Sequence, residues 1–257
     1  MAMPRPAAPW LEWGFARYTR FYLARNLHTV RLSRAMPPPH PEGFMVIYAN
    51  HPAWWDPLTL TVLATGQYPE REHFAVIEAE ALSRYRIFER LGFFGVQASG
   101  AGARRFLTIA QALARRPRAI LWLTPQGRFA DPRERPLRLA PGLGHLAARL
   151  ERGVLVPLAL EYPFWEERYP EALLRFGEAV DIATLPSRPA RDWSQLLAQR
   201  LEAAQDALAQ EALARDPKAF LPLLRGNAGV GGVYGLAQRL KARLRGQSYR
   251  PEHGNLD

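Results

Sequence analysis

Residues 50–57 read NHPAWWDP and put a histidine and an aspartate, His51 and Asp56, four residues apart in between. Imidazole can take a proton near neutral pH. A carboxylate bonded to its far nitrogen fixes the tautomer and stabilises the imidazolium that forms. A turn can bring these two side chains together, which makes them a candidate general base and its orienting acid. The same residues fit a plainer role. Asp56 before Pro57 has the form of a helix N-cap with proline at the first helical position, and His51 can be a satisfied structural histidine. Spacing alone leaves both open. No further histidine or carboxylate cluster nearby has ligand spacing, so no metal is expected. The chain has no cysteine, which removes thiolate nucleophiles, disulfides and Cys-ligated metals and suits a reducing compartment.

The elements that must hold these residues alternate in type. FMVIYAN (44–50), HFAVIEA (73–79), FFGV (93–96), RAILWLT (118–124) and VLVPLALEY (154–162) are short apolar runs rich in β-branched and aromatic residues, and they predict buried strands; LLRFGEAV (173–180) adds one more. Helical segments lie between them: from Asp56 to about Thr65, 80–91, the amphipathic 101–116, and 142–152. This alternation predicts an α/β domain with a mostly parallel central sheet flanked by helices. In such sheets functional groups gather at the carboxyl ends of strands. Asn50, His51 and Asp56 follow the first strand, Gln97 and an SGAG run the third, and Gln126, Gly127 and Arg128 the fourth, so three loops can line one crevice. SGAGARR (99–105) reads either as an anion site at a helix start or as a flexible loop before an ordinary helix.

Three regions are expected. Residues 9–35 read as one helix carrying Trp10, Phe15, Tyr18, Phe21, Tyr22 and Leu23 alongside Arg17, Arg20, Arg25, Arg31 and Arg34. That mix fits a helix lying in a bilayer surface, and equally one packed on its own domain with solvated arginines. Residues 1–36 are therefore an N-terminal amphipathic membrane-surface helix, and MPPPHPEG (36–43) is a linker. Residues 37–190 are expected to form the α/β domain that carries the candidate site. Residues 191–257 form a helical extension, with helices over 193–213 and 233–246 around an NAGVGG loop (227–232).

The net charge of +10 comes almost wholly from arginine, since Lys218 and Lys241 are the only lysines. Such a balance prefers anionic partners, but the arginines are spread along the chain and no nucleic-acid motif appears, so nucleic acid is not an expected partner. No apolar run approaches the roughly 18 residues needed to span a bilayer, and the first ten residues lack a signal-peptide core. A peripheral place on the cytoplasmic face of the membrane is the expectation.

NHPAWWD resembles the NHxxxxD box of the glycerolipid (lysophosphatidate-type, PlsC-like) acyltransferases. Three further boxes follow in family order: LGFFGVQ (91–97), TPQGRF (124–129) in the place of FPEGTR, and VLVPLAL (154–160) with Pro157. The resemblance covers residues 44–185 and implies an acyltransferase. His51 would take the proton of an acceptor hydroxyl, Asp56 would orient His51, and the hydroxyl would attack the thioester of acyl-CoA or acyl carrier protein directly. No other cofactor is implied. Asn50, Gln97, Gln126, Gly127, Arg128 and Pro157 would bind substrate, with backbone N–H groups near Gly127 or the Gln97 side chain as oxyanion donors. The chain departs from the pattern at the acceptor. Gln97 and Phe129 stand where the family carries phosphate-binding arginines, and Gln126 replaces its glutamate. Two acceptors stay open: a lysophosphatidate-like lipid, and an uncharged hydroxyl such as that of a glycolipid or carotenoid glycoside. A non-catalytic lipid-binding protein is the reading of another class.

Overall fold

A computed structural model describes residues 3–227. Five strands run the same way at one side of the sheet: β2 (Met45–Ala49), β3 (Glu72–Glu78), β4 (Phe93–Val96), β5 (Ala119–Leu123) and β6 (Val154–Glu161). The order β4-β3-β5-β2-β6 puts β2 between β5 and β6. Beyond β6 the direction reverses. β7 (Glu171–Phe176) pairs antiparallel with β6, β1 (Thr29–Ser33) lies parallel to β7, and β9 (Phe220–Arg225) closes the edge antiparallel to β1. The short β8 (Val180–Asp181) pairs with the start of β6.

Alternate residues of β2 face opposite sides of the sheet, and each side has its own core. Val46 and Tyr48 pack with Phe106, Leu143, Trp193 and Leu197, from α4 (Gly100–Leu113), α5 (Gly142–Ala147) and α6 (Ala190–Ala214). Met45, Ile47 and Ala49 pack with Leu23, Val62 and Leu63, from α1 (Pro9–Asn26) and α2 (Asp56–Gln67). The result is the expected α/β sandwich of helices on both sides of a mostly parallel sheet.

Two expectations change. The helix foreseen over 9–35 ends at Asn26, and residues 29–33 become a strand inside the sheet. TVRLS alternates Val30 and Leu32 with Thr29, Arg31 and Ser33, a period-2 pattern. The buried Glu171 supplies the polar residues with partners: it accepts from Thr29 and from Arg31 Nε (3.0 Å) and lies 2.6 Å from His28 Nδ1. A boundary at residue 36 would therefore cut through the sheet. The region beyond 191 is also not purely helical, because β9 follows α6. The edge tolerates Pro222, which has no N–H to donate, and the β1–β9 register slips beside it. The helix foreseen over 233–246 and most of the NAGVGG loop lie outside the described residues.

Candidate active site

His51 and Asp56 meet. His51 Nδ1 lies 2.6 Å from Asp56 Oδ2. The carboxylate can only accept, so Nδ1 carries the proton and Nε2 keeps its lone pair for an incoming hydroxyl. Asp56 is 0% exposed. Its Oδ2 also accepts from the Ala53 N–H (3.2 Å), and its Oδ1 accepts from the Tyr162 hydroxyl (2.8 Å). Tyr162 has one proton, which goes to the carboxylate, so the Thr59 hydroxyl 3.1 Å away donates to the phenol oxygen. Burial pushes the Asp56 carboxyl above its ordinary range, and the hydrogen bonds from His51, Tyr162 and Ala53 pull against it. Burial also pushes the Tyr162 phenol far up, with the Asp56 charge adding to it, so the phenol stays a donor.

Asp56 differs slightly from the cap foreseen for it. Trp55 is the N-cap, without a side-chain cap bond; Asp56 is the first helical residue, and its carboxylate turns back to Ala53 and His51. A carboxylate in the first turn of α2 still gains from the positive end of the helix dipole.

The histidine's backbone is held from both sides by the loop after β5. The Gln126 side-chain oxygen accepts from the His51 N–H at 2.9 Å, and the Ala130 N–H donates to the His51 carbonyl at 3.0 Å. Between them Phe129, itself exposed, lays its ring on the imidazole with centroids 4.4 Å apart. Asn50 anchors the other side. Its amide donates to the Leu160 carbonyl (2.9 Å) and accepts from the Leu160 N–H (2.7 Å), tying the end of β2 to β6.

These bonds give several residues expected to touch substrate a partner within the protein. Asn50 is 0% exposed and both ends of its amide are used by Leu160, so it positions the loop that carries His51. Gln126 spends its carbonyl on His51. Pro157 is buried inside β6, paired with Tyr48 of β2, and its carbonyl accepts from the Gly177 N–H at 2.9 Å. Gly127 takes a left-handed φ of 67°, and its N–H goes to Thr124 O (3.1 Å), so that N–H is not an oxyanion donor here. Arg128 is paired with Glu134 and also donates to the Phe129 carbonyl (3.2 Å). Gln97 lies exposed on the same sheet edge, but β4 stands three strand spacings from β2, about 14 Å. The loops after β2 and β5 thus share the site, and the loop after β4 stands apart. The glycines of SGAG have a packing reason: Ser99 caps α4 by accepting from Gly102 N, and a Cβ on Gly102 would fall 2.0 Å from the Gln97 carbonyl.

Sequence reasoning missed Tyr162 and Phe129 as parts of the site. Tyr162 had a signal, because it ends a buried apolar run at a strand's carboxyl end. Geometry alone does not make a base, as His28 illustrates. It meets Glu171 at the same 2.6 Å, but both side chains are sealed, at 4% and 2% exposure against 19% for His51. Burial pushes Glu171 up, yet the bonds from His28 and Thr29 and the Arg31 charge outweigh it and hold the carboxyl below its usual range. That pair fastens β1 to β7.

No protein-family model matches the chain, and no curated protein matches its sequence. A solved structure does. The 1-acyl-sn-glycerophosphate (LPA) acyltransferase PlsC from Thermotoga maritima superimposes with a TM-score of 0.52, covering 78% of each chain at 14% identity. This chain has the PlsC fold. At that identity the likeness speaks for the fold, as the ordered boxes of the sequence led one to expect; the chemistry is argued from the site.

Proposed function

We propose that this protein is an O-acyltransferase that moves a fatty acyl group from acyl-CoA or acyl carrier protein to the hydroxyl of a lipid acceptor. One observation carries the reading: a buried, triply hydrogen-bonded Asp56 holds the partly exposed His51 with Nε2 free, on the fold of an LPA acyltransferase. Nε2 takes the proton as the acceptor oxygen attacks the thioester carbonyl, and returns it to the thiolate that leaves. The imidazolium formed in between faces Asp56. The chemistry needs no acyl-enzyme.

Two acceptors fit this chemistry: a lysophosphatidate-like lipid, and an uncharged hydroxyl on a glycolipid or carotenoid glycoside. The pairing of Arg128 with Glu134 favours the uncharged one, because it leaves that arginine without a spare charge for a phosphate.

The membrane surface is the proposed place of work. On α1, Trp10, Trp13, Tyr18 and Phe21 are exposed together with Arg17, Arg20 and Arg25. Tyr22 continues this face to the exposed Trp54 of the NHPAWWDP loop, at a ring distance of 5.8 Å. Aromatic rings interleaved with arginines suit the headgroup layer. Among the described residues no helix is long and apolar enough to cross a membrane.

The test is acyl-CoA turnover with a panel of lysophosphatidate and glycolipid acceptors. His51→Ala should abolish transfer while circular dichroism shows that the variant still folds; undiminished turnover in that variant would sink the mechanism. For the membrane, changing Trp10, Trp13 and Phe21 together to serine should remove co-sedimentation with anionic vesicles. Cutting the chain at residue 35 would not test this, because it removes β1 from the sheet.

A further inference from the structure

The exposed rings of α1 have neighbours from another part of the chain. After β3 come a short helix, α3 (Ala79–Arg84), and a 3-10 turn, Arg86–Leu91, which leads into β4. The turn lies beside α1. Phe88 meets Phe15 edge to face at a centroid distance of 6.2 Å, and the Arg90 guanidinium lies 5.8 Å from the centre of the Trp10 ring. Phe15, Tyr18 and Tyr22 follow one another up one side of α1 at helical spacing. That side therefore has the turn against it near the start of the helix and Trp54 near its end.

The turn exposes the same two kinds of group as α1. Tyr85 is 54% exposed and Ile87 45%, with Arg84, Arg86 and Arg90 exposed around them. Single exposed apolar side chains are ordinary, but Tyr85 stands 6.1 Å from Phe88, so these continue the patch that begins on α1. Charge says what covers that patch. Arg17 lies over Trp13 at 5.9 Å and Arg25 over Phe21 at 5.5 Å, as Arg90 does over Trp10. The carboxylates do not cancel them. Glu12 is turned to His73, 3.9 Å away, and Glu80 pairs with Arg84 at 3.4 Å. Of the glutamates in residues 9–26 and 79–91 that leaves Glu89, against Arg17, Arg20, Arg25, Arg86 and Arg90. A guanidinium laid on a ring offers positive charge and apolar surface at one depth, which fits the boundary between phosphates and acyl chains.

We propose that residues 85–90 are a second lipid-contact element, and that the protein lies on an anionic bilayer by the α1 side of its sheet, held along α1 and along this turn. The proposal rests on the membrane reading of α1 and adds to it a second contact and an orientation. With α1 flat on the headgroups and Trp54 beside its last turns, the dyad stands at the rim of the footprint. The helix α6, which packs on the opposite side of the sheet from α1, faces water.

The chain has no cysteine, so one introduced cysteine carries one spin label. Labels on full-length Trp13→Cys, Ile87→Cys and Leu213→Cys report depth on mixed phosphatidylglycerol and phosphatidylcholine vesicles, read as collision with oxygen against collision with a water-soluble nickel complex. The labels at 13 and 87 should be immersed. The label at 213, where Leu213 is 74% exposed near the end of α6, should stay in water. Ile87→Ser should weaken partitioning onto these vesicles about tenfold. Arg86→Gln should weaken it about fivefold and leave binding to pure phosphatidylcholine unchanged. Circular dichroism checks that these exposed substitutions keep the fold. A label immersed at 13 but in water at 87 would leave α1 as the sole contact and overturn the proposal. An immersed label at 213, or parent-like partitioning of both the serine and the glutamine variant, would overturn it too. Labels in water at both 13 and 87 would remove the membrane reading of α1 with it. None of these readouts needs turnover, so acyl transfer that depends on His51 stands or falls separately.

Discussion

Removing one oxygen from Tyr162 separates its ring from its hydrogen bond. Tyr162→Phe keeps the ring against Trp55, at a centroid distance of 5.6 Å, and deletes the donor to Asp56 Oδ1. Asp56 is sealed from solvent, so no water replaces that donor. A hydrogen bond to a buried charge is worth about 1.5–3 kcal/mol. For a chain of this size that corresponds to a loss of roughly 3–12 °C in melting temperature. The same energy, if it acts wholly on the barrier, sets a ceiling of about 10- to 150-fold on the loss of kcat. The sign of the pH effect also follows. The Tyr162 bond favours the ionised carboxylate, so its loss raises the Asp56 pKa further and moves the acid limb of the kcat profile to higher pH. KM for the thioester should stay near the parent value, because Tyr162 touches the dyad from behind. Differential scanning fluorimetry and a pH series of initial rates measure all four. A parent-like melting temperature with an unmoved acid limb would refute the idea that Tyr162 holds Asp56.

Asp56→Asn should lower kcat by about 10⁴-fold, as such a change does in other His–Asp pairs, yet stabilise the protein at neutral pH. A carboxyl whose folded pKa is raised contributes stability below its unfolded pKa and loses it as pH rises through the folded one, so the gain over the parent should vanish in acid melts. His73 works in the opposite sense. Burial lowers its pKa to about 4 from 6.5, with the Arg71 charge adding to it, the bond to Tyr68 O pulling the other way, and the Trp122 N–H donating to the unprotonated Nδ1, so it supports stability above pH 6.5. The parent should lose about 3 kcal/mol between pH 7 and 4 through this one group, measured by urea unfolding, and His73→Gln should flatten that slope. Gln126→Leu leaves the His51 N–H without its acceptor and should cut kcat at least tenfold, whereas Gln126→Glu keeps an acceptor and should retain activity; equal activity in the two variants would show that the clamp is idle.

Local chemistry was legible where sequence neighbours meet. His51 and Asp56 lie five positions apart, and one helical start suffices to join them. The five parallel strands were legible for a similar reason, since strands buried on both faces read as continuous apolar runs. What escaped depends on residues far apart in the chain. Nothing in TVRLS announces that a buried glutamate 140 positions on will neutralise Arg31, so a charged residue there argued for solvent and for helix. The backbone partners of Asn50 and Gln126 escaped because an amide bonds substrate and backbone alike, and only the strand order brings Leu160 and His51 to them.

The burial of β1 also has a consequence in time. Its parallel partner β7 lies 142 residues later, as measured from Thr29 to Glu171, and β9 later still. At 5–20 residues per second a ribosome takes roughly 7–30 s to make that stretch. Throughout the interval α1 is already synthesised, its aromatic and arginine face complete, while the strand that will fix it to the sheet has nothing to pair with. Until then β1 gives the helix no hold on the sheet, and α1 has its packing against β2 and α2, which leaves its exposed face open to a lipid surface before the domain is complete.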